Sequence, residues 1–125
     1  RELDITGSPI LFELEIQPAL KRRLAAFAEI SRFPSVRRDL AVVVDENVAL
    51  SALRERVVLS ASSLLREFLV FDLYRGPGIE TGRKSIALGL IFQEKTRTLT
   101  DADADNAMAA IRADLSAALG ATFRE

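Results

Sequence analysis

The sequence predicts an α+β fold: a four-stranded antiparallel sheet with two helices on one of its faces. Three observations lead there. Four segments alternate with the period of strands, two segments between them repeat with the period of amphipathic helices, and a glycine-bracketed turn joins the second strand directly to the third. With 125 residues, 49 % of them hydrophobic and 28 % charged, the chain is long enough for one domain with a real core and a short appendage.

The first strand of the unit is expected over Asp39–Val44. Pro34 stiffens the approach to it, and Arg37, Arg38 and Asp39 stand at its entrance. These charges suit either a solvated strand end or a cationic lip beside a binding surface. Leu40, Val42 and Val44 alternate with Ala41 and Val43, so the strand has one bulky face and one slight face. Asn47 is the expected N-cap of a helix whose apolar side is Leu50, Leu53, Val57 and Leu64 or Leu65. Phe68–Arg75 reads as the second strand, with Leu69, Phe71 and Leu73 on one face and Phe68, Val70, Asp72 and Tyr74 on the other. Gly76, Pro77, Gly78 and Gly82 mark the turn, and Ser85–Gln93 returns with Ile86, Leu88, Leu90 and Phe92 in phase. Thr100 and Asp103 form a capping box. Behind it Ala104, Met108, Ile111 and Leu115 make the buried stripe of a helix that stops at Gly120. Ala121–Arg124 closes as a short strand.

The order β-α-β-β-α-β is the ferredoxin-like arrangement. Right-handed crossovers put both helices on one sheet face. The bulky set Leu40/Val42/Val44, Leu69/Phe71/Leu73 and Ile86/Leu88/Leu90/Phe92 must then meet the helices. Ala41/Val43, Val70/Asp72/Tyr74 and Ser85/Ala87/Gly89/Ile91 lie on the open face. Solvated faces of antiparallel sheets normally carry charges, and a face of small and flat residues is suited to docking. Ahead of the unit, residues 10–16 alternate like a further strand, with Ile10, Phe12, Leu14 and Ile16 on one side. Pro18–Ile30 is a helix-permissive connector.

The chain has no Cys and no His. This removes disulfides, thiolate chemistry, most zinc sites and the usual general base, and no catalytic or metal-binding residues are expected. The acids Asp101, Asp103 and Asp105 lack the glycine and terminal glutamate of a calcium loop and suit a helix N-terminus instead. The glycines form no phosphate cradle. No apolar run could span a bilayer, no secretion signal opens the chain, and a cytoplasmic location is expected. The formal net charge is −1, so any nucleic-acid contact must come from a local patch. Arg1 is an unusual first residue, which suggests a fragment.

The blocks Arg32-Phe33-Pro34, Arg38 to Val44, Phe71-Asp72-Leu73-Tyr74-Arg75-Gly76, Gly82 to Leu88 and Arg97 to Asp101 occur in one order. Together they resemble the C-terminal ferredoxin-fold anticodon-binding domain of bacterial phenylalanyl-tRNA synthetase β subunits, over about residues 31–124. The resemblance divides the chain into 1–30, the tail of a preceding domain plus connector, and 31–125, the anticodon-binding domain. It implies a class II synthetase, a phenylalanine-tRNA ligase, working as an α2β2 heterotetramer with ATP and magnesium. Catalysis would sit on the α subunit, and this segment would hold no cofactor and bind the anticodon of tRNA(Phe). It also implies that Ala41, Asp72, Tyr74 and Ser85 contact the anticodon. Arg38, Arg75, Arg83 and Lys84, at strand ends, are candidates for the phosphates. Two other readings of the fold remain: a small-molecule regulatory domain, against which the acidic Asp45-Glu46-Asn47 stands, and a protein-interaction domain that uses the open sheet.

Overall fold

A computed structural model describes residues 7–21, 27 and 30–124. Its centre is a sheet of β1 (Val36–Asp45), β2 (Leu65–Tyr74), β3 (Arg83–Phe92) and β4 (Thr122–Arg124) in the order β2-β3-β1-β4, antiparallel throughout. The short helix α1 (Ile16–Ala19) precedes the sheet, and α2 (Leu50–Ser60) and α3 (Asp101–Leu119) follow β1 and β3. This is the expected β-α-β-β-α-β order.

The core lies between the sheet and the two long helices. Leu40, Val42 and Val44 of β1 and Ile86, Leu88, Leu90 and Phe92 of β3 are buried there against Leu53 and Val57 of α2 and Ala104, Met108, Ile111 and Leu115 of α3. Alternation along β1 and β3 is unbroken over ten paired residues, so the period alone sets which side chains turn inward. A bidentate pair between Arg56 and Asp114, with Nε to Oδ2 at 2.9 Å, joins the two helices at their half-exposed seam.

Strand β2 departs from its expected faces. Its pairing with β3 shifts twice, between Leu65 and Glu67 and between Val70 and Asp72. Phe68, Val70 and Leu73 stand opposite the inward residues Leu90, Leu88 and Ile86, whereas Leu69 stands opposite Gly89 on the open side. Leu69 and Phe71 are therefore not core residues, and Phe71 is 56 % exposed. The cause is an extra residue at Phe71, which reverses the parity within the strand. β2 is also an edge strand, and even its inward Val70 and Leu73 stay partly open to solvent.

Four further expectations are corrected. Residues 10–16 form no strand: 10–15 have no regular structure, and Ile10 and Phe12 are each 92 % exposed. An alternating segment without a partner has nowhere to place its backbone hydrogen bonds. Helix in the connector is confined to Ile16–Ala19 among the described residues, and the remainder of that reading, over 22–26, 28 and 29, lies outside them. Asn47 does not cap α2, whose N-cap is Ala49 without a side-chain bond. The Asp45 carboxylate takes both the amide and the side chain of Asn47, at 2.9 and 3.0 Å, in a turn that delays the helix. The helix itself ends at Ser60, and Leu64 and Leu65 pack on the core from the turn and strand beyond.

The start of α3 is the expected capping box. The Thr100 hydroxyl accepts from the Asp103 amide at 3.2 Å, and the Asp103 carboxylate accepts from the Thr100 amide at 2.8 Å. Arg97 bonds the same carboxylate at 2.6 Å and, with Thr100, holds it well below the usual carboxylate range. Gly120 ends the helix at φ 59°, a left-handed position that glycine fills without strain.

Two outcomes follow for urea unfolding. Phe92→Ala, at a fully buried ring, lowers stability by about 3–5 kcal/mol, while Phe71→Ala costs less than about 1 kcal/mol. For the cap, Thr100→Ala costs about 1 kcal/mol at neutral pH. Because the folded state favours ionised Asp103, its stabilisation is complete above the unfolded-state value of about 3.9 and is lost as pH falls below it. Melting temperatures measured on acidification should accordingly fall more steeply for the parent chain than for Asp103→Asn.

Candidate nucleic-acid interface

Strand register builds the open face row by row. Tyr74, Ser85, Val43 and Thr122 lie across the sheet from one another, and Asp72, Ala87, Ala41 and Arg124 form the next row. Their side chains share a face because directly paired residues point the same way. Ala41, Asp72, Tyr74, Ser85, Ala87 and Arg124 line one groove of about 340 Å³. The four residues singled out from the sequence are thus brought together, and Ala87 and Arg124 join them.

Each lining group has a definite chemistry. Ala41 and Ala87 make a flat floor with little side chain above the backbone. Ser85 is 6 % exposed, and among the described residues its hydroxyl has no hydrogen-bond partner. One Asp72 oxygen accepts from the Leu73 amide at 2.9 Å, which orients the carboxylate and leaves its other oxygen for an incoming donor. Tyr74 is 38 % exposed, and the Arg124 guanidinium lies 6.0 Å from its ring centroid.

The ring of Tyr74 is held in place from the turn. Its hydroxyl donates to the Pro77 carbonyl at 3.1 Å. Gly76 lets the chain fold back against it: a Cβ there would lie 2.9 Å from the tyrosine oxygen, and its φ of 154° disfavours other residues. The glycine-rich turn thus serves to aim an aromatic ring along the sheet.

The four strand-end cations are each engaged within the chain. Arg38 stands opposite Leu90 on the helix side of the sheet and bonds Asp101 at 2.8 Å and Asp105 at 3.2 Å. It therefore faces away from the groove, and its charge is raised in pKa by those two carboxylates. Arg75 clasps Glu46 at 2.6 Å and holds that carboxyl below its usual range. Lys84 donates to the Glu46 carbonyl at 2.7 Å. Arg83 donates to the carbonyls of Val43 at 2.9 Å and Gly120 at 2.7 Å, satisfying the end of α3. None of the four lines the groove. Arg124, which does, escaped notice because a three-residue strand carries no periodic signal; only its pairing with Ala41 reveals its place.

Residues 31–124 match the family model of the ferredoxin-fold anticodon binding domain. The chain belongs to this family. Among relatives, it is 45 % identical over its whole length to the phenylalanine–tRNA ligase beta subunit of Methylococcus capsulatus, covering 16 % of that protein. It is 49 % identical over 87 % of its length to the same-named subunit of Xanthomonas campestris, covering 14 % of it. To that of Dechloromonas aromatica it is 36 % identical over 99 % of its length, covering 16 %. The chain thus spans about one-sixth of the length of these curated relatives. In this anticodon-binding-family domain, no helix among the described residues is long and apolar enough to cross a membrane.

The Tyr74 clamp can be checked by fluorescence, since the chain has one Tyr and no Trp. Gly76→Ala should make the tyrosine emission more accessible to iodide quenching while the far-ultraviolet circular dichroism stays unchanged. Unaltered quenching would mean that the turn does not set the ring.

Proposed function

We propose that this chain is the anticodon-binding part of a phenylalanine-tRNA ligase β subunit, and that it positions tRNA(Phe) for aminoacylation on a partner α subunit. The observation that carries the proposal is the convergence of Ala41, Asp72, Tyr74 and Ser85 in one groove on the sheet face away from the helices. Family membership and the names of the relatives support it.

RNA is read best where unstacked bases lie on aromatic rings and meet hydrogen-bonding groups at their edges. In this reading a loop base slides over the alanine floor and stacks on Tyr74, whose hydroxyl is already engaged and so leaves the ring as a fixed plane. The free oxygen of Asp72 accepts from a base edge that presents N–H groups. The Ser85 hydroxyl, able to donate or accept, meets a second edge atom. Arg124 supplies positive charge at the rim, where the backbone passes. The α2β2 assembly and the use of ATP and magnesium belong to the proposed parent enzyme. In this proposal catalysis belongs to the partner α subunit, and no chemical step is routed through this chain.

The test is titration of the chain with an anticodon stem-loop carrying a phenylalanine anticodon. Stacking should quench the single tyrosine, and a swapped anticodon should bind more weakly. By filter binding, Tyr74→Ala loses about 1–3 kcal/mol, the usual worth of a base–aromatic stack, and Tyr74→Phe retains most of the affinity. Affinity should fall with salt by a slope of about −0.7 for each phosphate contact, as for single strands. If Tyr74→Ala binds as well as the parent chain, the groove is not the site.

A further inference from the structure

Along the open face from the groove, the sheet has a second feature that the reading above leaves unused. Gly89 sits in the middle of β3, between buried Leu88 and Leu90. Glycine weakens a strand interior, and its presence there often marks the close approach of another group. At Gly89 that group is Arg37. A Cβ on Gly89 would lie 3.2 Å from Arg37 Nη2 and 3.4 Å from both Cζ and Nε. With Cζ no farther away than Nε, the guanidinium presents its face to the sheet. Asp39 fixes its rotation, accepting from Nε at 2.8 Å. The Phe71 ring stands beside it, with its centroid 5.6 Å from Cζ. Phe71 is there because the bulge in β2 turns it to the open side.

We propose that the Arg37 guanidinium, laid flat over Gly89 and flanked by Phe71, is a second stacking platform that takes a nucleotide adjacent to the one held at Tyr74. This rests on the RNA-binding reading above. Gly89 is two residues along β3 from Ala87, the floor of the groove, a step of about 7 Å. The guanidinium covers the glycine while the side chain as a whole stays 53 % exposed, and arginine planes are known to stack single-stranded bases. Its charge is already paired with Asp39, so the platform contributes its plane more than its charge. A stack of this kind tolerates any base, and the second site therefore adds affinity without adding sequence preference.

The experiment uses the 125-residue chain and the same anticodon stem-loop, with 2-aminopurine placed in turn at each loop position. Arg37→Ala should weaken binding by about 5- to 150-fold, the fold-change that corresponds to one stack, and should restore 2-aminopurine emission at one position next to the base that reports on Tyr74. Arg37→Lys keeps the charge and loses the plane, and should be nearly as weak. Gly89→Ala keeps the arginine but lifts it, and should weaken binding with the melting temperature unchanged; if it unfolds, the lysine variant decides. Parent-like binding by Arg37→Lys would overturn the platform in favour of a simple charge contact. If Arg37→Ala binds like the parent chain while Tyr74→Ala is impaired, this inference fails and the groove stands. If neither change matters, RNA binding on this face fails with it.

Discussion

The alternation along β3 is the constraint on which the rest of the molecule depends. Every second residue from Ile86 to Phe92 is bulky and buried, while the alternate positions Ser85, Ala87 and Gly89 are small, the bulky Ile91 coming only at the far end. β3 pairs with β1 on one side and β2 on the other, so its two faces set the character of both halves of the domain. The bulky face fixes where α2 and α3 settle. The small face lets side chains from neighbouring strands lie low over the sheet, Tyr74 and Asp72 at one end and Arg37 at the other. A one-residue slip of β3 would put its core residues in water and its small residues under the helices, so hydrophobic burial holds the floor of the groove in register.

Where the pattern was regular, the sequence was legible. β1, β3 and the capped α3 follow from uninterrupted periods and recognisable stop signals, and together they suffice for the fold. The failures have distinct causes. Residues 10–16 have the alternation of a strand, but alternation says only that a segment can pair, not that a partner exists. In β2 the bulge at Phe71 adds one residue, and composition does not mark where such an insertion falls. Asp72 and Tyr74 kept their outward assignment because they lie beyond the bulge, whereas Leu69 and Phe71 lie before or within it. Arg37 and Arg38 are identical neighbours that the chain sends to opposite faces, one to the open sheet and one to the acids of α3. Which of the two is free to meet a ligand is a matter of register. The convergence of Ala41, Asp72, Tyr74 and Ser85 could be anticipated from parity, but Arg124 could not, since its position depends on a strand too short to have a period.

The cations divide by task. Arg38, Arg56, Arg75 and Arg97 each grip a carboxylate on another element or at a helix start, and Arg83 and Lys84 tie down backbone carbonyls. These contacts fasten helices and turns to the sheet at the periphery, where the hydrophobic core is thin. Exposed pairs of this kind each contribute little to stability. Their larger effect is on the open face: with those charges engaged elsewhere, Arg124 is the cation that lines the groove.

β4 has three residues and pairs only with β1, yet it carries Arg124 onto the groove. So short an outer strand opens more easily than the strands it borders, and each opening removes one wall of the groove. A ligand that touches Arg124 binds only the form in which β4 is docked. Its observed affinity is scaled by the fraction of time the strand is docked. By the same linkage, an occupied groove slows amide exchange in β4 at a distance from the residues that do the stacking, so that the weakest element of the sheet becomes the one most strengthened by binding.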